Sequence, residues 1–385
     1  MEPGPKAIGS WSGGRFMRFG EPIDDERLIA LLRPDAGIDT VLSADTYGEG
    51  AADTLLGRAL VGLDRGSYSL VGAIGHDFYD GERNGPKGFP RFTDPALRGP
   101  ADYADYLLAA AERSLERIGV ERFDLLLLHN PDQIGYTSRQ VWDGMAALRE
   151  RGLTDAIGLA PGPANGFSLD LIDCFERFGS EIDWAMIILN PLEPWPGELV
   201  LAAARRREVK LLTRVVDYGG LFWGDVRPGH RFAEHDHRKF RPVGWVEAGC
   251  EKLDQLAPIA AAHDLSAIQL ACEWNLAQDP VRCVVPTLIE EIGDGPRSIE
   301  QKRAELAAIP GRLTAPDARG RLEPAEVTAI RAIGDNTGSM ALKGANPAHH
   351  GPSAPDRWGL DAELAGLARR WGIDPERDLV QVDGR

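Results

Sequence analysis

The chain has few cysteines and no long apolar run. No two cysteines form a CxxC pair, so neither a disulfide framework nor a zinc ribbon is expected, and a reducing compartment suits the chain. No stretch reaches the roughly 18 apolar residues of a membrane span, and the first residues lack the apolar segment of a signal peptide. We therefore expect a cytoplasmic protein. The cysteines are Cys174, Cys250, Cys272 and Cys283.

Positive charge is scarce. Lysine and arginine number 43 against 59 aspartate and glutamate residues, which gives a formal net charge of −16 at pH 7. This excess would repel phosphate backbones and anionic membrane surfaces, so neither nucleic acid nor membrane is an expected partner. The acidic residues are spread along the chain, as on an ordinary solvated surface. A small molecule is the expected partner, and the oligomeric state stays open.

A glycine-rich dinucleotide motif is also missing. No GxGxxG follows an early strand pattern, which disfavours an open Rossmann sheet. The sequence instead alternates short apolar runs with longer helical patterns, which is typical of parallel strands joined by helices. Eight such steps without a change in composition predict an α/β fold, a (β/α)8 TIM barrel over residues 1–333. The predicted strands are 7–11, 38–42, 69–74, 124–129, 156–159, 184–189, 209–215 and 282–285.

The carboxyl-terminal part has a different texture. From residue 334 onward glycine and proline become frequent, and a short helical pattern follows at 361–370. Trp358 and Trp371 flank this pattern, and such large apolar side chains gain free energy by burial. We therefore expect residues 334–385 to form a C-terminal extension that docks on the barrel.

Reactive side chains of such barrels lie at the carboxyl ends of the strands. Tyr47 and His129 follow the second and fourth predicted strands, and both residue types can exchange protons. A phenol and an imidazole on one rim predict an acid–base pair. The other polar or aromatic residues at these ends are candidate contacts for a polar, hydroxylated substrate: Trp11, Asp45, Asn130, Asn190 and Arg214.

Four segments resemble the aldo/keto reductase family and occur in that family's order. Residues 37–48, GIDTVLSADTYG, resemble the segment that ends in the family's catalytic Tyr-Gly, and residues 128–132, LHNPD, resemble its histidine segment. Residues 148–158, LRERGLTDAIG, are similar to the stretch before its fifth strand, and residues 219–224, GGLFWG, to its glycine loop. The resemblance covers about residues 7–333 and implies an enzyme that reduces carbonyl groups with NADPH.

The resemblance also implies a catalytic site with two of its four residues replaced. The family uses a Tyr acid assisted by Lys, Asp and His. The Tyr and His correspond to Tyr47 and His129, but the Asp and Lys positions hold Leu42 and Ala73. An ammonium group beside a phenol lowers the phenol's pKa, so its loss predicts a weaker acid at Tyr47. Arg214 could supply the missing positive charge or bind an anionic substrate.

The cofactor site implied by the resemblance is altered as well. The Ser-Asn pair that holds the nicotinamide amide corresponds to Ala160-Pro161, and the amide-binding Gln falls near Met186. After the eighth strand, where the family presents basic groups to the nucleotide phosphate, residues 290–294 are acidic and would oppose a phosphate. Two alternatives therefore stay open: the protein binds NADP(H), or it uses no nucleotide cofactor. The candidate cofactor contacts are Gly220, Leu221, Arg297 and Arg303.

Three functions remain possible from the sequence. The first is an NAD(P)(H)-dependent oxidoreductase that acts on a small polar, sugar-like carbonyl or alcohol through Tyr47 and His129. The second is a nucleotide-independent lyase, isomerase or hydratase that uses the same two residues. The third is a non-catalytic binding protein, because a fold alone does not prove activity. The histidines of residues 234–238 are interpreted as solvated, so no metal site is expected.

Overall fold

Eight parallel strands, hydrogen-bonded in sequence order, form the centre of the protein. The computed structural model describes residues 1–84, 88–162, 167–241, 243–293, 295–309, 322–337, 362–374 and 378. The sheet closes on itself where Lys6 pairs with Val284, whose backbone N–H donates to the carbonyl of Pro5 at 3.0 Å. This closure confirms the predicted (β/α)8 TIM barrel. The strands are β1 (Ala7–Gly9), β2 (Thr40–Leu42), β3 (Ser69–Ile74), β4 (Phe123–His129), β5 (Thr154–Ala160), β6 (Trp184–Ile188), β7 (Lys210–Arg214) and β8 (Val281–Val285).

The helices between the strands begin where the sequence supplies capping side chains. Ser266 and Ser298 each form a capping box with a glutamine three residues later, which satisfies backbone N–H groups that a helix start leaves unpaired. Within the described residues the helices are α1 (Asp25–Leu32), α2 (Ala51–Leu60), α3 (Tyr103–Ile118), α4 (Gln133–Thr137), α5 (Arg139–Glu150), α6 (Ser168–Phe178), α7 (Leu201–Arg206), α8 (Trp245–Ala262), α9 (Ala267–Leu276), α10 (Ile299–Ala307), α11 (Pro324–Ile333) and α12 (Ala362–Arg370). None of these is long and apolar enough to cross a membrane.

The apolar runs are strands because both of their faces are buried. One face packs against the surrounding helices, and the other fills the barrel interior. Leu42 and Ala73, at the positions where the resemblance implies an Asp and a Lys, belong to this interior group and are 2% and 9% exposed. The interior is therefore a packed apolar core, and any chemistry has to take place at its rim.

Part of the predicted extension packs on α6. Leu367 and Ala368 of α12 are fully buried, and Glu363 pairs with Arg177 of α6. The indole N–H of Trp371 donates to Glu176 at 3.1 Å. The Gly/Pro-rich stretch at 338–361, with Trp358, lies outside the described residues. Residues 362–374 are thus held against α6 by both buried apolar side chains and polar contacts.

Candidate active site

Tyr47 and His129 converge at the carboxyl end of the barrel. His129 is the last residue of β4, and Tyr47 follows β2 in a turn in which its backbone N–H donates to the carbonyl of Ala44 at 3.0 Å. The two ring centroids are 5.7 Å apart, with the planes nearly perpendicular. Trp11, just after β1, lies on the other side of Tyr47 at 6.4 Å between ring centroids. One rim therefore presents the phenol, the imidazole and the indole together.

Both groups of the pair are neutral near pH 7. Burial raises the pKa of Tyr47 to about 12, against the lowering effect of the positive charge of Arg214. Burial lowers the pKa of His129 to about 3, and the charges of Arg91 and Arg214 add to this effect. The buried Nδ1 of His129 has no hydrogen-bond partner within the described part of the chain. The pair is thus a neutral phenol and a neutral imidazole, each able to exchange a proton or donate a hydrogen bond.

Two further residues of the site were not predicted from the sequence. His76, just after β3, has its ring centroid 5.0 Å from that of His129, and its Nε2 is 3.1 Å from Nδ2 of Asn130. Arg91 lies 3.2 Å from Nδ1 of His76 and also donates to the carbonyl of Asn130. His76 stands at a strand end and could have been found by that rule. Arg91 lies in the long loop after β3. Only the folded chain brings it to the rim, where its backbone forms an antiparallel β-bridge with His76.

Arg214 reaches the same rim from the end of β7. Its side chain is partly exposed, and its Nη2 donates to the carbonyl of Pro161 at 2.9 Å. Burial lowers the pKa of Arg214 from its ordinary value, partly offset by Tyr47 and Glu193, but a guanidinium stays protonated at neutral pH. A Cβ built on Gly162 would lie 2.9 Å from this Nη2 and 2.4 Å from Oδ1 of Asn130. Asn130 and Arg214 therefore flank one glycine at the rim.

Asn190 is buried beneath the rim, and its predicted role as a substrate contact stays a prediction. Its side chain is 0% exposed, donates to the carbonyl of Val215 at 3.1 Å and accepts from the N–H of Leu192 at 2.9 Å. Val215 has a φ of +59°, a conformation that a β-branched side chain rarely adopts. Asn190 thus stabilises the strained Val215, the residue that follows Arg214. The side-chain amide of Asn190 already forms hydrogen bonds with backbone groups through both its nitrogen and its oxygen.

Asp45 is likewise buried, and the substrate contact predicted for it stays a prediction. The side chain is 0% exposed, and within the described residues neither carboxylate oxygen has a geometrically acceptable hydrogen bond. Burial raises the pKa of Asp45 well above its ordinary value, and the nearby charge of Asp53 acts in the same direction. Burial therefore disfavours the charged form of Asp45.

Two of the predicted cofactor residues, Gly220 and Leu221, lie in a glycine turn after β7, and the other two, Arg297 and Arg303, lie at or within α10. Gly219 and Gly220 have φ values of +66° and +95°, and their turn leads into the short helix Leu221–Trp223. A Cβ on Gly220 would approach Oε1 of Glu291 to 2.9 Å, so this turn requires glycine. Arg238, fully buried beside it, pairs with both Glu291 and Asp236.

Arg297 and Arg303 are engaged by the protein itself. Arg297 pairs with Glu305 and Asp225 and donates to the carbonyl of Trp223. Arg303 donates to the carbonyls of Leu31 and Arg33 at the end of α1 and pairs with Asp35. Both predicted phosphate contacts therefore have intramolecular partners that a phosphate would have to displace. In the described ranges no group of three or more His, Cys, Asp or Glu side chains could hold a metal ion.

Comparison with known proteins places this geometry in a family. The chain is 26% identical over 317 residues to D-threo-aldose 1-dehydrogenase from a Pseudomonas species, which covers 78% of this chain and 90% of that protein. The structure of glycerol dehydrogenase from Gluconobacter oxydans matches with a TM-score of 0.63 at 22% identity, over 85% of this chain and 90% of that one. An aldo/keto reductase from Klebsiella pneumoniae, solved with NADP and acetate, matches with a TM-score of 0.55 at 17% identity, over 88% and 94%.

The two structures show a shared fold. The model of the aldo/keto reductase family matches residues 7–292, which is well over half of the chain and includes every residue of the rim described above. The chain therefore belongs to the aldo/keto reductase family of oxidoreductases.

Proposed function

We propose that this chain is an NAD(P)H-dependent reductase of a small, polar and sugar-like carbonyl compound, with Tyr47 and His129 as its proton-handling groups. The observation that carries the proposal is the 5.7 Å separation of the two rings at the mouth of the barrel. A carbonyl oxygen placed between them could accept hydrogen bonds from both, which polarises the carbonyl group. Trp11 beside Tyr47 offers a flat surface for a hydroxylated carbon chain.

The fit of a nicotinamide nucleotide can be judged from the chain's own residues. Gly220 and Leu221, in the turn before the short helix Leu221–Trp223, are the residues that would hold the phosphates through their backbone, and the carboxylate of Glu291, 2.9 Å from the Cβ position of Gly220, would have to move aside. The solved relative from Klebsiella pneumoniae binds NADP, which favours a nicotinamide nucleotide as the cofactor here. At Ala160 and Pro161 the nicotinamide amide could form hydrogen bonds only with backbone groups, because neither side chain is polar. When bound, the cofactor supplies the hydride.

The protonation states favour reduction over oxidation. Reduction needs a protonated phenol that gives its proton to the developing alkoxide, and Tyr47 with a pKa of about 12 is protonated at pH 7. Oxidation needs the phenolate, whose fraction at pH 7 would be on the order of one in 10⁵. His129, neutral and buried, orients the oxygen without adding charge. The protonated phenol of Tyr47 is therefore the form that a carbonyl reduction uses at neutral pH.

A titration and one variant test this proposal. NADPH added to the purified protein should quench tryptophan fluorescence, and small hydroxylated aldehydes should be reduced. Tyr47→Phe should lower kcat at least about 100-fold without loss of NADPH binding, because it removes only the transferable proton. Tyr68→Phe removes a buried hydroxyl just before β3 and serves as the matched control. Absence of NADPH binding at millimolar concentration would refute the proposal.

The apolar replacements favour a second candidate. Leu42, Ala73, Ala160 and Pro161 offer no charged or amide side chain for hydride chemistry, whereas proton transfer in an elimination, isomerisation or hydration needs only the pair Tyr47 and His129. The same NADPH titration separates the two. A protein that binds no nucleotide but still loses the turnover of an identified substrate in Tyr47→Phe would be this second kind of enzyme.

A further inference from the structure

The charged groups that face the reactive pair are mainly cations, although the whole chain is strongly acidic. Arg91 and Arg214 both act on His129, and Arg214 also acts on Tyr47. Burial raises the pKa of the nearby Asp45, which disfavours its charged form, and Glu193 is the acid whose charge acts on Arg214. A local excess of positive charge at the rim of a protein with a net charge of −16 points to an anionic ligand.

Arg214 has hydrogen-bond donors left for such a ligand. A guanidinium carries five N–H groups, and within the described chain the side chain of Arg214 makes one hydrogen bond, to the carbonyl of Pro161. Arg91, in contrast, is used to hold Asn130 and His76. Arg214 is therefore the group that can bind directly, while Arg91 adds positive potential from behind.

The backbone holds Arg214 in place at a cost. Val215, the next residue, keeps a left-handed φ of +59°, which is unfavourable for a β-branched residue and persists only where the surroundings enforce it. Asn190 supplies that restraint through its hydrogen bond to the carbonyl of Val215. Asn130, which flanks Gly162 together with Arg214, also has a left-handed φ of +46°, a conformation that asparagine adopts readily. The strain at Val215 alone indicates that the direction of Arg214 is enforced by the surrounding structure.

We propose that the substrate is a carbonyl compound that carries a carboxylate, and that Arg214 binds this carboxylate beside the pair Tyr47 and His129. A planar guanidinium fits a carboxylate with two parallel hydrogen bonds, and one guanidinium with open donors suits a single negative charge. Oδ1 of Asn130, across Gly162, is placed to accept from a hydroxyl of the same ligand. This assignment rests on the proposed reductase function for its carbonyl group and on Arg214 alone for its charge.

Binding to the cofactor-free protein tests the carboxylate site independently of activity. Calorimetric titration should give benzoate an affinity at least tenfold above that of benzyl alcohol. Arg214→Met should weaken benzoate binding at least tenfold, since one hydrogen bond to a charged group contributes roughly that much to the affinity. Arg122→Met, an exposed arginine just before β4 at the opposite end of the barrel, should leave it unchanged. If Arg214→Met fails to fold, Arg214→Lys keeps the charge without the fork and should show a partial loss.

Each contrary result overturns the assignment. Equal binding of benzoate and benzyl alcohol, or benzoate affinity unchanged in the folded Arg214 variant, removes the carboxylate site. Phenyl phosphate bound tenfold more tightly than benzoate would replace the carboxylate by a phosphate. With NADPH, 4-carboxybenzaldehyde should be reduced faster than methyl 4-formylbenzoate. Benzoate binding without any turnover refutes the reductase and keeps the site, while turnover without a preference for the acid refutes the site and keeps the reductase.

Discussion

At the scale of single residues, the proposed site depends on two rings that burial keeps neutral at pH 7. Tyr47 and His129 lie over an interior of Leu42, Ala73 and similar apolar side chains, so neither ionises easily. The sequence predicted that loss of a neighbouring ammonium would raise the pKa of Tyr47, and the upward shift to about 12 agrees with that direction. The cause is burial, with Arg214 acting against it.

Restoring the two replaced charges should change the chemistry of Tyr47. In the double variant Leu42→Asp/Ala73→Lys, the new ammonium should lower the pKa of Tyr47 and raise kcat at pH 7 about tenfold. Ultraviolet difference titration of the phenol and a pH–rate profile are the measurements. Each single variant buries an unpaired charge at a cost of about 3–5 kcal/mol and serves as the control for stability. An unchanged phenol titration in a folded double variant would contradict this expectation.

The histidine predicts a pH dependence of stability. The pKa of His129 is about 3 in the folded chain against an ordinary value of 6.5, so the unfolded chain binds more protons between these limits. His129 therefore contributes stability that is fully present above pH 6.5 and is lost as the pH falls towards 3. Between pH 6.5 and pH 5 this loss should be about 2 kcal/mol. Urea unfolding at pH 7, 6 and 5 measures it.

His129→Gln should reduce that loss, because glutamine does not titrate. Some loss should remain, since the pKa of His76 is also lowered well below its ordinary value by burial and by Arg91. His235→Gln is the matched control, because His235 lies exposed on the surface. Equal pH slopes in the wild type and His129→Gln would count against a neutral His129.

At the scale of elements, the loops after β7 and β8 are joined by buried charge. The side chain of Arg238 is 1% exposed and pairs with Asp236 and Glu291, and Oδ2 of Asp236 also accepts from the N–H of Gly20 at 2.7 Å. This network links three loops at the carboxyl end of the barrel. The glycine turn proposed for the phosphates rests against it.

Removing the central cation should destabilise the barrel strongly. Arg238→Met leaves two buried carboxylates without their partner, which should lower the free energy of unfolding by about 3–5 kcal/mol. Arg282→Met, at an exposed position on β8, should change it by less than about 0.5 kcal/mol. Thermal or urea unfolding compares the two. If both variants changed the free energy of unfolding equally, the buried charge network would contribute little to stability.

Long, periodic elements were predicted from the sequence and short or locally ambiguous ones were not. Strands β3 and β4 match their predicted positions within two residues, because long apolar runs define them, and the amphipathic pattern at 101–118 likewise predicts α3 within two residues. Strand β1 has three residues rather than the five predicted, and no helical pattern in the sequence indicates α4 or α11. Helix α4 has five residues, too few to show a period.

At the scale of the whole molecule, the extension and the barrel share a surface at α6. Leu367 and Ala368 bury their side chains there, with Trp371 and Glu363 at the edge. We expect Leu367→Asp to detach α12, because a carboxylate cannot be buried on this apolar contact. Limited proteolysis should then cut the extension faster, while the barrel itself stays resistant. Arg369→Asp, at an exposed position of the same helix, should leave the cleavage rate unchanged.

The sequence by itself determined the barrel and the family, because a repeated strand–helix pattern and ordered motifs are local properties of the chain. It also located Tyr47, His129 and Arg214 at the carboxyl ends of strands, since those ends follow from the strand positions. Only the tertiary structure brought Arg91 and His76 to the rim and buried Asp45 and Asn190 beneath it. Burial and pairing depend on residues far apart in the chain, and no short motif records them.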